Sequence, residues 1–249
     1  MKGVTHVAIY AISDLHLSFN KEVDLYHIQP EADILKPMDV FGWTEHYNTI
    51  RDHWLQEVDE GDTVLIPGDI SWAMKMEQAR YDFGWIDQLP GRKVCSPGNH
   101  CYYVQSKAKV RKALPQRIEW LDGDYTVVEG KVLVATRGWN LPGDRYWEEE
   151  RDRRIYDRQV GRLRMALEVA AKEEPDRERI AMIHYPPVSK HSSNSEFMEV
   201  MRQFGVTTCL YGHLHGGATK EAIEGEIDGI KLHLVSCDHL HFRPLKLSV

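Results

Sequence analysis

Cysteine is scarce: Cys95, Cys101, Cys209 and Cys237 are the four thiols in 249 residues, widely spaced and without a C-x-x-C pair. That excludes a disulfide framework in a chain of this length and fits a reduced, cytoplasmic compartment. Long hydrophobic runs are missing too. The longest apolar stretches are a few residues, against the roughly 20 needed to cross a bilayer, so no membrane span is expected. The run Val4–Ile12 comes nearest to a signal-peptide core, but it holds His6 and leads straight into Ser13-Asp14 without a small-residue cleavage site, and it reads as a strand. Positive charge is in deficit, with 31 Lys+Arg against 38 Asp+Glu and a formal charge of −7. No global field draws such a chain to nucleic acid or anionic lipid, so an anionic substrate has to be held by local charge such as metal ions. There is no internal repeat, low-complexity tract or Ser/Gly linker, and residues 1–249 read as a single domain.

What is present is ample core material, at 42% hydrophobic and 10% aromatic. Apolar β-rich runs alternate with helical patterns, the signature of sheets flanked by helices. Val7–Ile12, Thr63–Ile66 and Lys93–Cys95 read as buried strands, separated by helices around Glu45–Val58 and Lys75–Gln88. Ile50, Trp54, Leu55 and Val58 mark the core face of the first helix. Tyr125–Val128 and Val132–Thr136 flank Glu129-Gly130-Lys131 as a hairpin and open a second sheet. A charged helix at Glu148–Lys172 follows, with Ile155, Leu163, Ala166, Leu167 and Ala170 as its stripe. Ile180–His184, a helix at Glu196–Phe204, and strands at Thr207–Tyr211, Gly217–Glu224 and Lys231–Ser236 complete the reading. The segment 17–42, with Pro30 and Pro37, is longer than an ordinary loop and reads as a lid or substrate wall.

The unusual polar residues fall immediately after the strands: Asp14-Leu15-His16, Gly68-Asp69, Gly98-Asn99-His100, His184-Tyr185-Pro186-Pro187 and Gly212-His213-Leu214-His215-Gly216. Carboxyl ends of strands in an α/β sheet face a common crevice, where residues distant in sequence converge. Asp14 and His16 are two apart, as are His213 and His215, so in extended backbone each pair faces one side and can grip one cation. The glycines before Asp69, Asn99 and His213 permit tight turns and close backbone approach. Asp14, Asp69 and Asn99 offer oxygen; His16, His184, His213 and His215 offer nitrogen. Seven donors exceed what one tetrahedral ion needs and suffice for two if a carboxylate bridges them. A mixed O/N set without thiolate suits Mn²⁺, the leading choice, or Fe, Zn²⁺ or Co²⁺, better than Ca²⁺.

In this order and spacing, Asp14-x-His16, Gly68-Asp69, Gly98-Asn99-His100, His184 and Gly212-His213-x-His215 resemble the calcineurin-like metallophosphoesterase superfamily. The resemblance spans residues 14–215. It implies a four-layer α/β/β/α sandwich of two mixed sheets flanked by helices. It also implies a first metal on Asp14, His16, Asp69 and His215, a second on Asp69, Asn99, His184 and His213, and Asp69 as the bridge. Members hydrolyse phosphomonoesters, phosphodiesters or pyrophosphates. Two cations about 3.5–4 Å apart make hydroxide available at neutral pH for in-line attack on phosphorus. His100 is left as the catalytic residue that contacts the phosphoryl group or protonates the leaving alkoxide. Two positions depart from the pattern: Cys101 follows Asn-His where the family often has an acid, and Trp72 stands in Gly-Asp-x-x-Asp.

The expectation is thus a cytoplasmic phosphohydrolase with two divalent metal ions, acting on a small phosphorylated substrate. A catalytically silent metal-bound scaffold or regulator, made thinkable by Trp72 and Cys101, and a nuclease using the same centre are the alternatives. His6, His27, His46, His53, His191, His233, His239 and His241 read as ordinary surface or core histidines. The arginines Arg145, Arg151, Arg153, Arg154, Arg158, Arg162 and Arg164 alternate with acids and read as solvated i,i+4 pairs. Trp43, Trp72, Tyr102, Tyr103, Trp139 and Tyr185 could serve as pocket lining or as packing, and Cys101 reads as a small buried side chain.

Overall fold

Strand residues that are apolar on both faces have to be covered on both faces, and this requirement builds the architecture. The computed structural model describes residues 7–32 and 36–248. Its first sheet contains, in spatial order, β11 (Leu245–Lys246), β1 (Ile9–Ala11), β2 (Thr63–Pro67), β3 (Arg92–Ser96) and β4 (Ile118–Trp120). The second runs β5 (Asp124–Val128), β6 (Lys131–Thr136), β7 (Arg179–Ile183), β8 (Val206–Tyr211), β10 (Ile230–Leu234) and β9 (Gly225–Ile227). Inner pairs are parallel, while β11, β5 and β9 pair antiparallel at the edges, so both sheets are mixed.

Alternation along each strand assigns the layers. In β2, Val64 and Ile66 join the outer core beneath α1 (His46–Glu57) and α2 (Met76–Gln88), among Trp54, Phe83 and Trp85. Leu65 points the other way, into a layer shared by Leu133, Met182 and Leu210 of the second sheet. In β6 and β7 the roles repeat: Val134 and Ala181 face α4 (Glu149–Glu173) and α5 (Glu196–Gln203), and Leu133 and Met182 face the first sheet. The result is helices, sheet, sheet, helices, the four-layer sandwich expected. Each fully buried Leu or Ile in these layers contributes on the order of 1.5–3 kcal/mol.

The structure corrects several boundaries. The strand expected at Gly217–Glu224 is a 3₁₀ turn at Gly216–Glu221, and the strand lies later, at Gly225–Ile227. The Gly216-Gly217 pair carries no side chains to pack on a pleated face, which explains the displacement. Leu55 is on the solvent side of α1; Tyr47 takes its place beside Ile50 and Trp54. Ile155 is only partly buried, and Tyr156 and Val160 carry that end of the α4 stripe. The first strand is confined to Ile9–Ala11, and the part of the Val4–Ile12 run before residue 7 lies outside the described residues. Among the described residues no helix is long and apolar enough to cross a membrane. All four cysteines are free and buried, Cys101 among them.

Candidate metal centre

The parallel strands β1, β2 and β3 end at one edge of the first sheet, and β7 and β8 end at the facing edge of the second. Their carboxyl ends deliver Asp14 and His16, Asp69, Asn99 and His100, His184, and His213 and His215 to one place. The two sheets are tied there directly, because His184 Nδ1 donates to the Pro67 carbonyl across the interface (2.9 Å). The Asp14 loop is clamped from both sides: its backbone N–H donates to Gly68 O, while Ser13 exchanges bonds with Val235 O and Cys237 N–H.

Asp14 and His16 do converge, but not through extended backbone. Both are left-handed, at φ 59° and 45°, as are Asp69 at 49° and His213 at 73°. Non-glycine residues adopt this region at a cost of roughly 1–3 kcal/mol, and such strain collects at functional sites held by their surroundings. Two glycines make the crowding feasible. Gly68 has φ +92°, and a Cβ there would lie 2.6 Å from His184 Nδ1. A Cβ on Gly98 would lie 2.1 Å from Asp69 Oδ1.

All seven expected donors meet. His215 Nε2 lies 3.1 Å from Asp14 Oδ1 and 3.2 Å from His16 Nε2. Asn99 Oδ1 is 2.8 Å from both His184 Nε2 and His213 Nδ1. Asp69 lies between these groups, with Oδ2 3.3 Å from His184 Nε2 and 3.9 Å from His16 Nε2. Its Oδ1 accepts the His100 backbone N–H at 2.7 Å, whereas Oδ2 is buried and makes no hydrogen bond. An orphaned carboxylate oxygen facing imidazole nitrogens is costly unless a cation completes it, so the donor set fits divalent metal. Among the described residues two ligand groups are close enough to hold an ion, Asp14 with His16 and His215, and Asp14 with Asp69 and His184.

Surrounding groups aim these donors. Asp14 Oδ2 accepts from the hydroxyls of Ser13 and Ser236 and from the His213 backbone N–H, leaving Oδ1 toward the cluster. Cys237 Sγ–H donates to the Asp14 carbonyl. Asp238 Oδ1 is 3.5 Å from His215 Nδ1, an ion-pair distance on the side of the ring away from the cluster. Buried Asp82 on α2 accepts from Ser71 and from the Phe19 N–H, pinning the loops after β1 and β2. His46 places its two ring nitrogens against the Leu15 and Trp43 carbonyls. Aromatics form the walls: Trp72 stacks on His16 at 4.8 Å and leans on His100 at 4.4 Å, Tyr185 lies 4.2 Å from His213, and Trp43 stands beside His215. Tyr103 instead packs in the outer core with Phe83 and Trp120. Trp72 and Tyr102, whose Oη is 3.0 Å from His100 Nδ1, thus contact His100 where the usual family acids are absent. His239 pairs with Glu224 at 3.1 Å, away from the cluster.

Charge within the site is divided. Burial, only partly offset by Asp69 and Asp14, pushes His16 down to about 3, and burial with the neighbouring His184 does the same to His213. Both rings are neutral at neutral pH and present lone pairs. Against the same burial, Asp14 and Asp238 lift His215 to about 10, and Asp69 and Asp14 raise His184. Burial opposes ionisation of Asp14, yet His215 and His184 hold it well below the usual carboxylate range. Metal loading therefore has to displace a proton from His215. For the metal-free protein the linkage signs are opposite for the two kinds of histidine. The depressed His16 and His213 contribute stability that is lost as pH falls below about 6.5; the raised His215 contributes stability that is lost as pH rises from about 6.5 to about 10. Thermal unfolding of chelator-treated protein should show both limbs, with Mn²⁺ raising the alkaline limb and His215→Asn flattening it.

The sequence model of the calcineurin-like phosphoesterases matches residues 7–217. The chain belongs to that family. A curated relative, the Gene 66 protein of Mycobacterium phage L5, is 32% identical over 88 residues, 35% of this chain and 37% of the phage protein. The chain thus spans little more than a third of that relative's length. Among solved structures, Phosphopantetheinyl Hydrolase (PptH) from Mycobacterium tuberculosis superposes with a TM-score of 0.61 at 13% identity, covering 97% of this chain and 95% of that one. A protein of unknown function from Aquifex aeolicus, AQ665, gives a TM-score of 0.44 at 17% identity, covering 97% and 96%. The hydrolase likeness supports the fold of this family member, two mixed sheets between helical layers.

Proposed function

We propose that the chain is a binuclear metal-dependent phosphohydrolase that cleaves a phosphomonoester, phosphodiester or pyrophosphate bond of a small substrate in the cytoplasm. The observation that carries this reading is the orphaned Asp69 Oδ2, buried beside the Nε2 atoms of His16 and His184. In it, Asp14, His16, Asp69 and His215 hold one ion, and Asp69, Asn99, His184 and His213 the other. The donor set suits Mn²⁺ first and Fe, Zn²⁺ or Co²⁺ next. Divalent ions so held supply charge neutralisation for phosphoryl oxygens and hydroxide at neutral pH.

The chain's own residues do the rest. His100 sits at the edge of the cluster, and burial holds its imidazole below the ordinary range, so the ring is neutral. With Tyr102 Oη donating to Nδ1, the remaining N–H lies on Nε2 and donates a hydrogen bond to the phosphoryl or leaving oxygen. Trp43 and Trp72 close one side against water. In this reading the described residues of the segment 17–42 serve as part of a substrate wall. On the other side a cavity of about 560 Å³ adjoins His213, lined by Trp139, Leu141, Tyr185, Val188, Leu214 and Ile223, and it receives the organic part of the ester.

The test is release of p-nitrophenol from mono- and bis-aryl phosphates by metal-loaded protein; two bound ions with no turnover across several metals would favour the silent scaffold. Strand cleavage that is lost with Asn99→Ala would instead favour the nuclease. His100→Ala should lower kcat by about 10²–10⁴-fold while leaving metal content unchanged. The loss should be largest for poor alkoxide leaving groups and smallest for p-nitrophenolate, a dependence read from a leaving-group series.

A further inference from the structure

A cleft of about 580 Å³ lies between the β3–α3 loop and α4, where α3 is Lys107–Ala113. It reaches Pro97, Gly98 and Cys101, in the loop that carries Asn99 and His100, but contains none of the seven donors. Its lining is cationic: Lys107, Arg137, Arg158 and Arg162, with Asp122 as the carboxylate among the lining residues. Two of these cations are compensated. Arg162 grips both oxygens of Asp122 at 2.7 and 2.6 Å, and Lys107 pairs with Asp124 at 3.0 Å.

Among the described residues no ion pair forms at Arg137 or Arg158, and Asp122 acts on Arg137 only at a distance. Arg137 Nε is buried without a hydrogen-bond partner, its guanidinium lying 4.6 Å from the Trp139 ring centroid. Arg158 projects from α4, and the helix gives it no acid at the usual spacing, because its i−4 and i+4 neighbours are Arg154 and Arg162. The adjacent Asp157 faces Arg153 instead. Solvated pairing, which accounts for Arg151 and Arg153, therefore does not account for Arg158. The two guanidiniums also feel each other's like charge. In a chain of net charge −7, two unpaired arginines facing one cleft suit an anion with several acceptor oxygens, to which a planar fork donates in pairs.

We propose that this cleft is a phosphate-binding site, built on Arg137 and Arg158, that takes a second phosphoryl group separate from the one reacting at the metal cluster. The binding site stands on the cleft itself; its link to turnover rests on the phosphohydrolase reading. The group is either borne by the substrate or is free phosphate, and the experiment separates these sources.

Equilibrium dialysis of metal-loaded protein against labelled inorganic phosphate should count two sites per chain in the wild type and one in Arg137→Gln/Arg158→Gln. Arg158→Gln alone, at an exposed position that leaves the core untouched, should weaken the second site about tenfold. Kinetics of Arg158→Gln then identify the source. A KM raised about tenfold for an aryl phosphate carrying a second phosphate, but unchanged for p-nitrophenyl phosphate, assigns the site to the substrate. Unchanged KM for both with the second site lost assigns it to free phosphate. One phosphate per chain in the wild type, two in the double variant, or an equal rise in KM for both substrates would overturn the proposal. A protein that binds two phosphates and turns over nothing would leave the cleft standing and refute the phosphohydrolase reading alone.

Discussion

Asp69→Asn is expected to reduce kcat/KM on aryl phosphates by about a thousandfold or more. The replacement keeps the shape and an oxygen to accept the His100 N–H, but it removes the negative charge from a carboxylate that, like Asp14, stands beside both His16 and His184. Charge stabilisation by a metal pair amounts to several kcal/mol in the transition state, and each 1.36 kcal/mol is tenfold in rate. Metal content should fall with activity, as measured by elemental analysis of the dialysed variant, while the fold persists. Full activity with Asn at this position would remove Asp69 from the bridging role.

The second large effect is expected at a residue with no functional group. In Gly98→Ala the new methyl would meet Asp69 Oδ1 at 2.1 Å and the Asp69 backbone nitrogen at 2.4 Å, and a backbone atom cannot rotate away. Overpacking of this kind costs about 1–3 kcal/mol, and for a chain of this size each kcal/mol lowers Tm by roughly 2–4 °C. Thermal unfolding should therefore shift down by several degrees, and metal content should collapse because Asp69 is the displaced group. Gly84→Ala is the control. Gly84 lies inside α2 with nothing within 4 Å of the added Cβ, and alanine there should keep activity and raise stability by up to about 1 kcal/mol. Equal losses in the two variants would mean that glycine at 98 is needed for general reasons and not for its contact with Asp69.

These two positions also show what a sequence reader can and cannot see. The donors were legible because each interrupts an apolar run at a strand end, and strand ends of parallel sheets converge whatever the intervening lengths. Sheets flanked by helices were legible from buried runs such as Thr63–Ile66, and the four layers came from the family resemblance. The reason given for the Asp14/His16 pairing was not correct, since left-handed turns and not extended backbone bring the two together. The groups that aim the donors were illegible. Ser13, Ser236 and Asp238 are ordinary polar residues, and only the packing of the β1 loop against the segment after β10 brings them to Asp14 and His215. Short elements escaped for a similar reason. β4 and β11 span three and two residues, and α3 buries Val110 alone, so none carries a periodic signal; tertiary pairing creates them. The unpaired state of Arg158 was hidden inside a run whose average composition is balanced.

In the proposed function, seven donors from two sheets hold a pair of cations about Asp69. Crystals of the active, metal-loaded protein, with anomalous diffraction recorded at the absorption edge of the metal found by elemental analysis, test it directly. The expected map has two peaks flanking Asp69 Oδ2, one against Asp14, His16 and His215 and one against Asn99, His184 and His213. A single peak, or full activity with no ion at Asp69, would contradict it.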